Sequence, residues 1–316
     1  MTAETTRAPV GGAPDVLVVG EALIDVVHRA DGTFSEAPGG SPANVALALG
    51  RLERNPRLLT SLGDDDGGRA VRAWLEASGV IVQGRPTART STAVAHLDAH
   101  GAATYEFAIS SEIDADGVDL ADVLHIGSIA AILEPGAASV ARLLDRHHDR
   151  ALVCYDPNIR PTLIRDEGAV RQRVLSLIER SDVIKASDED AAWLYPGEDV
   201  AAVARRWLRS GPALVVITKG SAGALAVTRG FEVRVGSTRT EVIDTVGAGD
   251  TFMGALIDGL VAEGAFGSKA RQTLMSLNKA HLTGLLNRSG RAAAVTVSRV
   301  GANPPTRTEL GAAIEP

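Results

Sequence analysis

The chain has 316 residues, 45% hydrophobic and 22% charged, with a net charge of −7. That excludes a mainly disordered chain and an overall basic field for nucleic acid or an anionic membrane. The one cysteine, Cys154, excludes an internal disulfide and a cysteine-based zinc site, and no apolar run nears the ~18 residues that span a bilayer.

Aromatic residues are few (three Trp, three Tyr, five Phe), so the core is expected to be Ala, Val, Leu and Ile with 33 Gly for turns. That usage suits α/β layers. Residues 1–14, MTAETTRAPVGGAP, have no apolar signal region and read as a flexible polar tail before a single domain over 15–316. The expected setting is cytoplasmic.

Apolar runs predict strands at 15–20, 57–62, 123–127, 151–156, 182–187, 213–220 and 224–228. Helical periodicity between and after them predicts helices at 41–53, 66–78, 135–148, 166–180, 188–194, 199–210, 249–263, 268–286 and 306–314. Near-continuous Val/Ile/Leu strands separated by helices imply a mostly parallel sheet covered on both faces. Ser41 before Pro42 reads as the N-cap of the first helix, and Gly79 as the stop of the second. His147 and His148, late in a helix, read as solvated or favoured by the helix dipole. Two stretches break the rhythm: 24–38 and 90–111 read as β-hairpins turning at Ala30-Asp31-Gly32 and Ala99-His100-Gly101. In the second, Tyr105, Phe107 and Ile109 alternate with Thr104, Glu106 and Ala108. Such a small sheet belongs at the carboxyl edge of the main one, either as a lid or as a packing layer.

The segment EVIDTVGAGDTFMGALI (241–257) carries the sharpest signal. It reads as a strand ending at Ile243, the small residues Gly247-Ala248-Gly249, and a helix from about Asp250. Backbone N–H groups converging there make an anion nest, reinforced by the helix dipole. Asp250 is then either an ordinary N-cap or a base beside bound phosphate. The chain has no GxxxxGK[ST], no GxGxxG after its first strand (Glu21 stands there), no protein-kinase motif set and no HExxH. PGGSPANVALALGRL (38–52) joins Gly39 and Gly40, where a polar ligand can approach the backbone, to Asn44, which can both donate to and accept from a hydroxyl. Asp25, past the first strand, suits paired hydroxyls. Each alone also reads as an ordinary turn, helix-surface or strand-end residue.

Together, PGGSPANVA (38–46) and DTVGAGDTF (244–252) resemble the two signatures of the PfkB or ribokinase-like carbohydrate kinases. GEALID (20–25), SLGDDDGG (61–68), DPNIRP (156–161), VIKASDED (183–190), ITKGSAG (217–223) and SRVGANPP (298–305) match in order, and the whole is most like the fructokinases. The resemblance implies a ribokinase-like three-layer α/β/α domain with a small β-sheet lid. The implied reaction moves the ATP γ-phosphoryl group to a sugar hydroxyl, most simply D-fructose to fructose 6-phosphate. Asp250 maps to the catalytic base and Gly247, Ala248, Gly249 and Asp250 to the anion hole. Asp25, Gly39, Gly40, Asn44, Arg160 and the lid's Phe107 map to the sugar site. Ser187, Thr218, Gly220, Ser221 and Gly223 map to the nucleotide site, with the adenine near a helix at 290–298. Asp244, the Val246 carbonyl and the loop near Arg299 and Gly301 resemble a monovalent-cation site, implying K⁺. The family's Asn-x-x-Glu motif, which organises Mg²⁺ through water, is here Ser187 and Asp190, one methylene shorter at its acid, with Glu189 beside it. The expected ligands are thus a sugar, ATP, Mg²⁺ and K⁺, with no nucleic acid or membrane partner, and a homodimer through the lid. Competing readings are a 2-keto-3-deoxygluconate kinase, a ribokinase, or a sugar- or nucleotide-binding protein without catalysis.

Overall fold

A computed structural model of the chain describes residues 12–97 and 103–312. Strand β1 (Val16–Val19) is buried throughout, and at Gly20 the chain leaves it for a hairpin of β2 (Leu23–His28) and β3 (Phe34–Gly39). Helix α1 (Ser41–Arg51), β4 (Arg57–Leu59), α2 (Asp66–Glu76) and the short β5 (Ile81–Gln83) follow. A second excursion supplies β6 (Ser91–Leu97) and β7 (Ala103–Ala108). Next come β8 (Val123–Gly127), α3 (Ser128–Ile132), α4 (Gly136–His147), β9 (Leu152–Asp156) and α5 (Glu167–Glu179). Then follow β10 (Val183–Ser187), α6 (Asp188–Leu194), α7 (Val200–Ser210), β11 (Leu214–Thr218), β12 (Ala224–Val227) and β13 (Glu232–Val235). Helices α8 (Ala248–Ala262), α9 (Ala270–Ser276), α10 (Lys279–Val297) and α11 (Arg307–Ala312) complete the chain.

The main sheet has nine strands in the order β13-β12-β11-β10-β9-β8-β1-β4-β5, parallel except where β12 reverses. Its strands feed two cores by simple alternation: Val16 and Val18 point into one, Leu17 and Val19 into the other. The first core holds the buried faces of α1, α2, α8, α9 and α10, the second those of α4, α5 and α7, which makes the three layers. Asp65, Asp166, Asp199 and Asn278 each start a helix by accepting a hydrogen bond from the amide three residues on. The second sheet, order β3-β2-β6-β7, joins the two hairpins through a parallel β2–β6 pair. The turn expected at 99–101 and most of the expected tail over 1–14 lie outside the described residues.

Several expectations need correction. The N-cap of α1 is Gly40, not Ser41, because the Ser41 hydroxyl is engaged elsewhere. No strand ends at Ile243: the amides of Ile243 and Asp244 both donate to the Val297 carbonyl at the end of α10, and Val242 and Ile243 are exposed. The helix expected over 268–286 breaks at Leu277, since Asn278 acts as a cap, and α10 then runs unbroken through 290. His147 is buried, its Nδ1 bonded to the Leu143 carbonyl while its Nε2 accepts from the Ala121 amide. Edge strands β5 and β13 escape a pattern search because each spans only three or four residues.

Beyond the sheet, Asp258 of α8 (2% exposed) ties the carboxyl-terminal helices together. It receives Arg54 at 2.6 Å, Arg288 of α10 at 2.7 Å and Arg307 of α11 at 3.0 Å. Removing one partner of a buried ionic cluster leaves uncompensated charge. Asp258→Ala should therefore cost about 3 kcal/mol in urea unfolding. A loss below ~1 kcal/mol would show that the arginines simply turn to solvent.

Candidate active site

Open parallel sheets bind ligands at the carboxyl ends of their strands. Here that edge collects Gly20 after β1, Gly127 of β8, Asp156 of β9, Ser187 of β10 and Thr218 of β11, together with the N-termini of α1 and α8. The two helices meet closely because Gly254 has no side chain: a Cβ there would lie 2.7 Å from that of Ala48.

That approach decides the environment of Asp250. Its Oδ1 accepts from the Ser41 hydroxyl at 2.7 Å and its Oδ2 from the Asn44 amide at 2.8 Å, across more than two hundred residues of sequence. The carboxylate is buried, 8% exposed, and Asn44 Oδ1 has no protein partner. Asp250 is thus no N-cap. Gly247 holds that place in the left-handed region at φ 75°, which a glycine adopts without strain, and the next three amides lead into the first turn.

Beneath that turn lies a second charged group. Lys185 Nζ donates to Asp156 Oδ2 at 2.7 Å, with both side chains almost fully buried. Burial pushes the Asp156 carboxyl up to about 6, against the pull of Lys185 and with further upward pressure from Asp190 and Asp250. Sequence reasoning passed over Lys185 and Asp156 and read Ser41 only as a helix cap. The available signal was a charge between Val183, Ile184 and Ala186 of the strand over 182–187, since a lysine inside a covered parallel sheet requires a buried partner.

Asp190 is engaged within the protein. Its Oδ1 accepts from the Ile159 amide at 2.7 Å, and its Oδ2 from the Ser187 amide at 2.9 Å and hydroxyl at 2.8 Å, a capping box that starts α6. Ser187 pairs in register with Thr218 on β11. The turn Gly220–Ala222 follows, and its Ser221 carbonyl accepts from the Ser237 hydroxyl at 2.7 Å; Gly223 closes it at φ 85°. The expected nucleotide residues therefore share one ridge. Asp244 accepts from the Val246 amide at 3.0 Å and the Gly301 amide at 2.8 Å, which gathers the three residues expected at a cation site.

The lid contributes the facing wall. In register, Asp25 lies opposite Ala93 and Ala93 opposite Phe107, so Asp25 and Phe107 share one face of the small sheet. Asp25 packs over Gly39, where a Cβ would come within 2.1 Å of its Oδ2, and Gly40 follows at φ 104°. Burial raises the Asp25 carboxyl to about 6, while Arg160 pulls it down and Asp250 pushes it up. Arg160 is exposed and braced on Asn158 Oδ1 at 2.6 Å. Asp25, Arg160 and Asp250 thus face one space across the two sheets.

The sequence pattern of the pfkB family carbohydrate kinases matches residues 13–309. The chain belongs to that family. This carbohydrate kinase is a phosphotransferase with an alcohol acceptor, built on the family's fold. A fructokinase of Rhizobium leguminosarum bv. trifolii is 40% identical over 78% of this chain and 79% of its own. Fructokinase-1 of Zea mays is 32% identical over 95% and 97% of the two chains. Among solved structures, a fructokinase double mutant from Vibrio cholerae O395, with fructose, ADP and potassium ion bound, superposes at a TM-score of 0.80. It is 25% identical and covers 96% of this chain and 98% of that one. No described helix of the kinase is long and apolar enough to cross a membrane.

A carboxyl whose folded value lies above its unfolded one destabilises the fold once it ionises. Asp25→Asn should therefore raise the Tm of the unliganded kinase above about pH 6, with the gain shrinking as pH falls toward 4. An equal gain at both ends of that range would contradict the assignment of the strain to ionisation.

Proposed function

We propose that this kinase is a cytoplasmic ATP-dependent fructokinase that converts D-fructose to fructose 6-phosphate. The observation that carries the reading is the buried Asp250 carboxylate, held by Ser41 and Asn44 beside the Gly247–Gly249 turn and across from the lid's Asp25. The names of the relatives at 40% and 32% identity support fructose as the sugar.

In this reading Asp25, Asn44 and the backbone at Gly39 and Gly40 hold the sugar hydroxyls, Arg160 closes the open side, and Phe107 covers the apolar face of the ring. The 6-hydroxyl lies against Asp250. Its oxygen forms the bond to the γ-phosphorus, the bond from that phosphorus to the β–γ bridging oxygen breaks, and the electron pair leaves on ADP. Asp250 takes the hydroxyl proton. Amides at Gly247, Ala248 and Gly249 stabilise charge on the equatorial oxygens. Ser187, Thr218, Gly220, Ser221 and Gly223 line the nucleotide side. Water is excluded by the lid, which limits wasteful hydrolysis.

The residues present fit both implied metals. Both Asp190 oxygens already accept from the protein, so Asp190 would hold Mg²⁺ only through water, which suits an ion that keeps several waters. Bound Mg²⁺ would neutralise charge on the phosphates. Asp244, the Val246 carbonyl and Gly301 would hold K⁺, adding a fixed positive charge beside the anion hole.

Sugar-dependent ADP release from Mg-ATP in potassium buffer tests the reading. Fructose should give saturable turnover, with ribose, glucose and 2-keto-3-deoxygluconate far behind. Asp250→Asn should lower kcat by ~10²–10⁴-fold with ATP binding retained. Turnover on another sugar would remove fructose, and near-wild-type kcat in the variant would remove Asp250 as the base.

A further inference from the structure

Lys185 is an ammonium within an apolar parallel strand, and it is only 4% exposed. Taking such a charge out of water costs several kcal/mol, and an apolar side chain of similar size would serve packing as well or better. Its surroundings point to another use. An ammonium has three N–H donors, and among the described residues Asp156 is its one hydrogen-bonding partner. On its other side is the first turn of α8: a Cβ at Gly249 would lie 3.0 Å from Lys185 Nζ. The missing side chain at Gly249 thus lets the ammonium lie directly against the turn that presents the anion-binding amides.

The charge balance points the same way. Asp156, Asp190 and Asp250 all face Lys185, and the nearby His125 is kept neutral, its imidazole pushed down to about 3 by burial and by Lys185 itself. Three carboxylates against one ammonium make a site that repels phosphate unless that ammonium can turn its free donors toward it.

We propose that Lys185 is a catalytic residue, the fixed cation that contacts the transferring phosphoryl group from beneath the Gly247–Gly249 amides, and that Asp156 is its positioning residue. The proposal rests on the phosphoryl-transfer reading of this site. The helix N-terminus supplies directed N–H groups, and Lys185 adds a full charge that stays in place as the phosphoryl oxygens change partner. Asp156 has two tasks. It fixes the ammonium laterally, and it keeps Lys185 protonated: burial alone would push the ammonium down, and the neighbouring carboxylates hold it above its ordinary value.

Three variants test this. Lys185→Met should lower kcat at least 100-fold with KM for sugar changed less than ~3-fold, because the lost contact belongs to the transferring group. Lys185→Met/Asp156→Asn removes both charges, so its fold is not burdened by an unpaired carboxylate. It should be as stable as the wild type and just as inactive. Recovered activity in this double variant would reduce the pair to a structural brace and overturn the proposal. Asp156→Asn should stay active near neutral pH but lose kcat on the alkaline side, as Lys185 now deprotonates at lower pH; a pH profile parallel to the wild type would overturn the positioning role.

Calorimetry without sugar separates this proposal from the choice of substrate. Lys185→Met should weaken ATP binding about tenfold while ADP binding changes less than twofold, since the two nucleotides differ by the phosphoryl group in question. An equal loss for both would place Lys185 away from that group, whatever sugar the wild type phosphorylates.

Discussion

The site depends on one contact, the grip of α1 on the Asp250 carboxylate. A buried carboxylate is costly unless each oxygen finds a donor, and Ser41 and Asn44 supply one each from a helix far away in sequence. That pairing requires the N-termini of α1 and α8 to converge, which in turn needs the bare backbone of Gly254 against Ala48 and a glycine with positive φ, Gly40 or Gly247, at the entry to each helix. The Gly247–Gly249 turn, Gly39 and Gly40, and the Asp250 carboxylate are consequently one rigid arrangement. Moving either helix by an ångström would disturb all three.

Behind this arrangement the charges are layered. Asp250 faces the ligand space, Lys185 and Asp156 lie beneath the turn, and Asp190 is tied off against Ser187 and Ile159. Carboxylates that touch the same small volume therefore have different duties set by their partners. Asp190 accepts from two amides and a hydroxyl and braces the start of α6. Asp156 keeps one oxygen without a partner and shares the other with an ammonium. All three are buried, and their hydrogen-bond partners distinguish them.

Much of the fold was legible in the sequence because strand and helix periods are local. The apolar runs VLVV and LVVIT, and the stop at Gly79 after α2, are each set within a few residues. The site was legible where motifs carry backbone geometry, as at Gly247-Ala248-Gly249. What escaped were the facts created by long-range packing. Ser41 looks like a cap until Gly40 is seen to fill that role, and Asn278 looks like a helix interior until its side chain is seen to start α10. Lys185 and Asp156 are 29 residues apart and become a pair only when β9 and β10 lie side by side. Strand β13 hides because half of its four residues are charged and face outward.

The division of labour between the two sheets has a kinetic consequence. Asp25 and Phe107 belong to the small sheet and Asp250 to the large one, and the small sheet's strands are hydrogen-bonded to each other across β3-β2-β6-β7. A hydrogen-bonded plate moves as a unit, so any hinge motion at its roots carries Asp25 and Phe107 together. A ligand held by both sheets would also be the latch between them. Its release would require the same hinge to reopen, so the stiffness of those roots would set its residence time as much as the number of polar contacts.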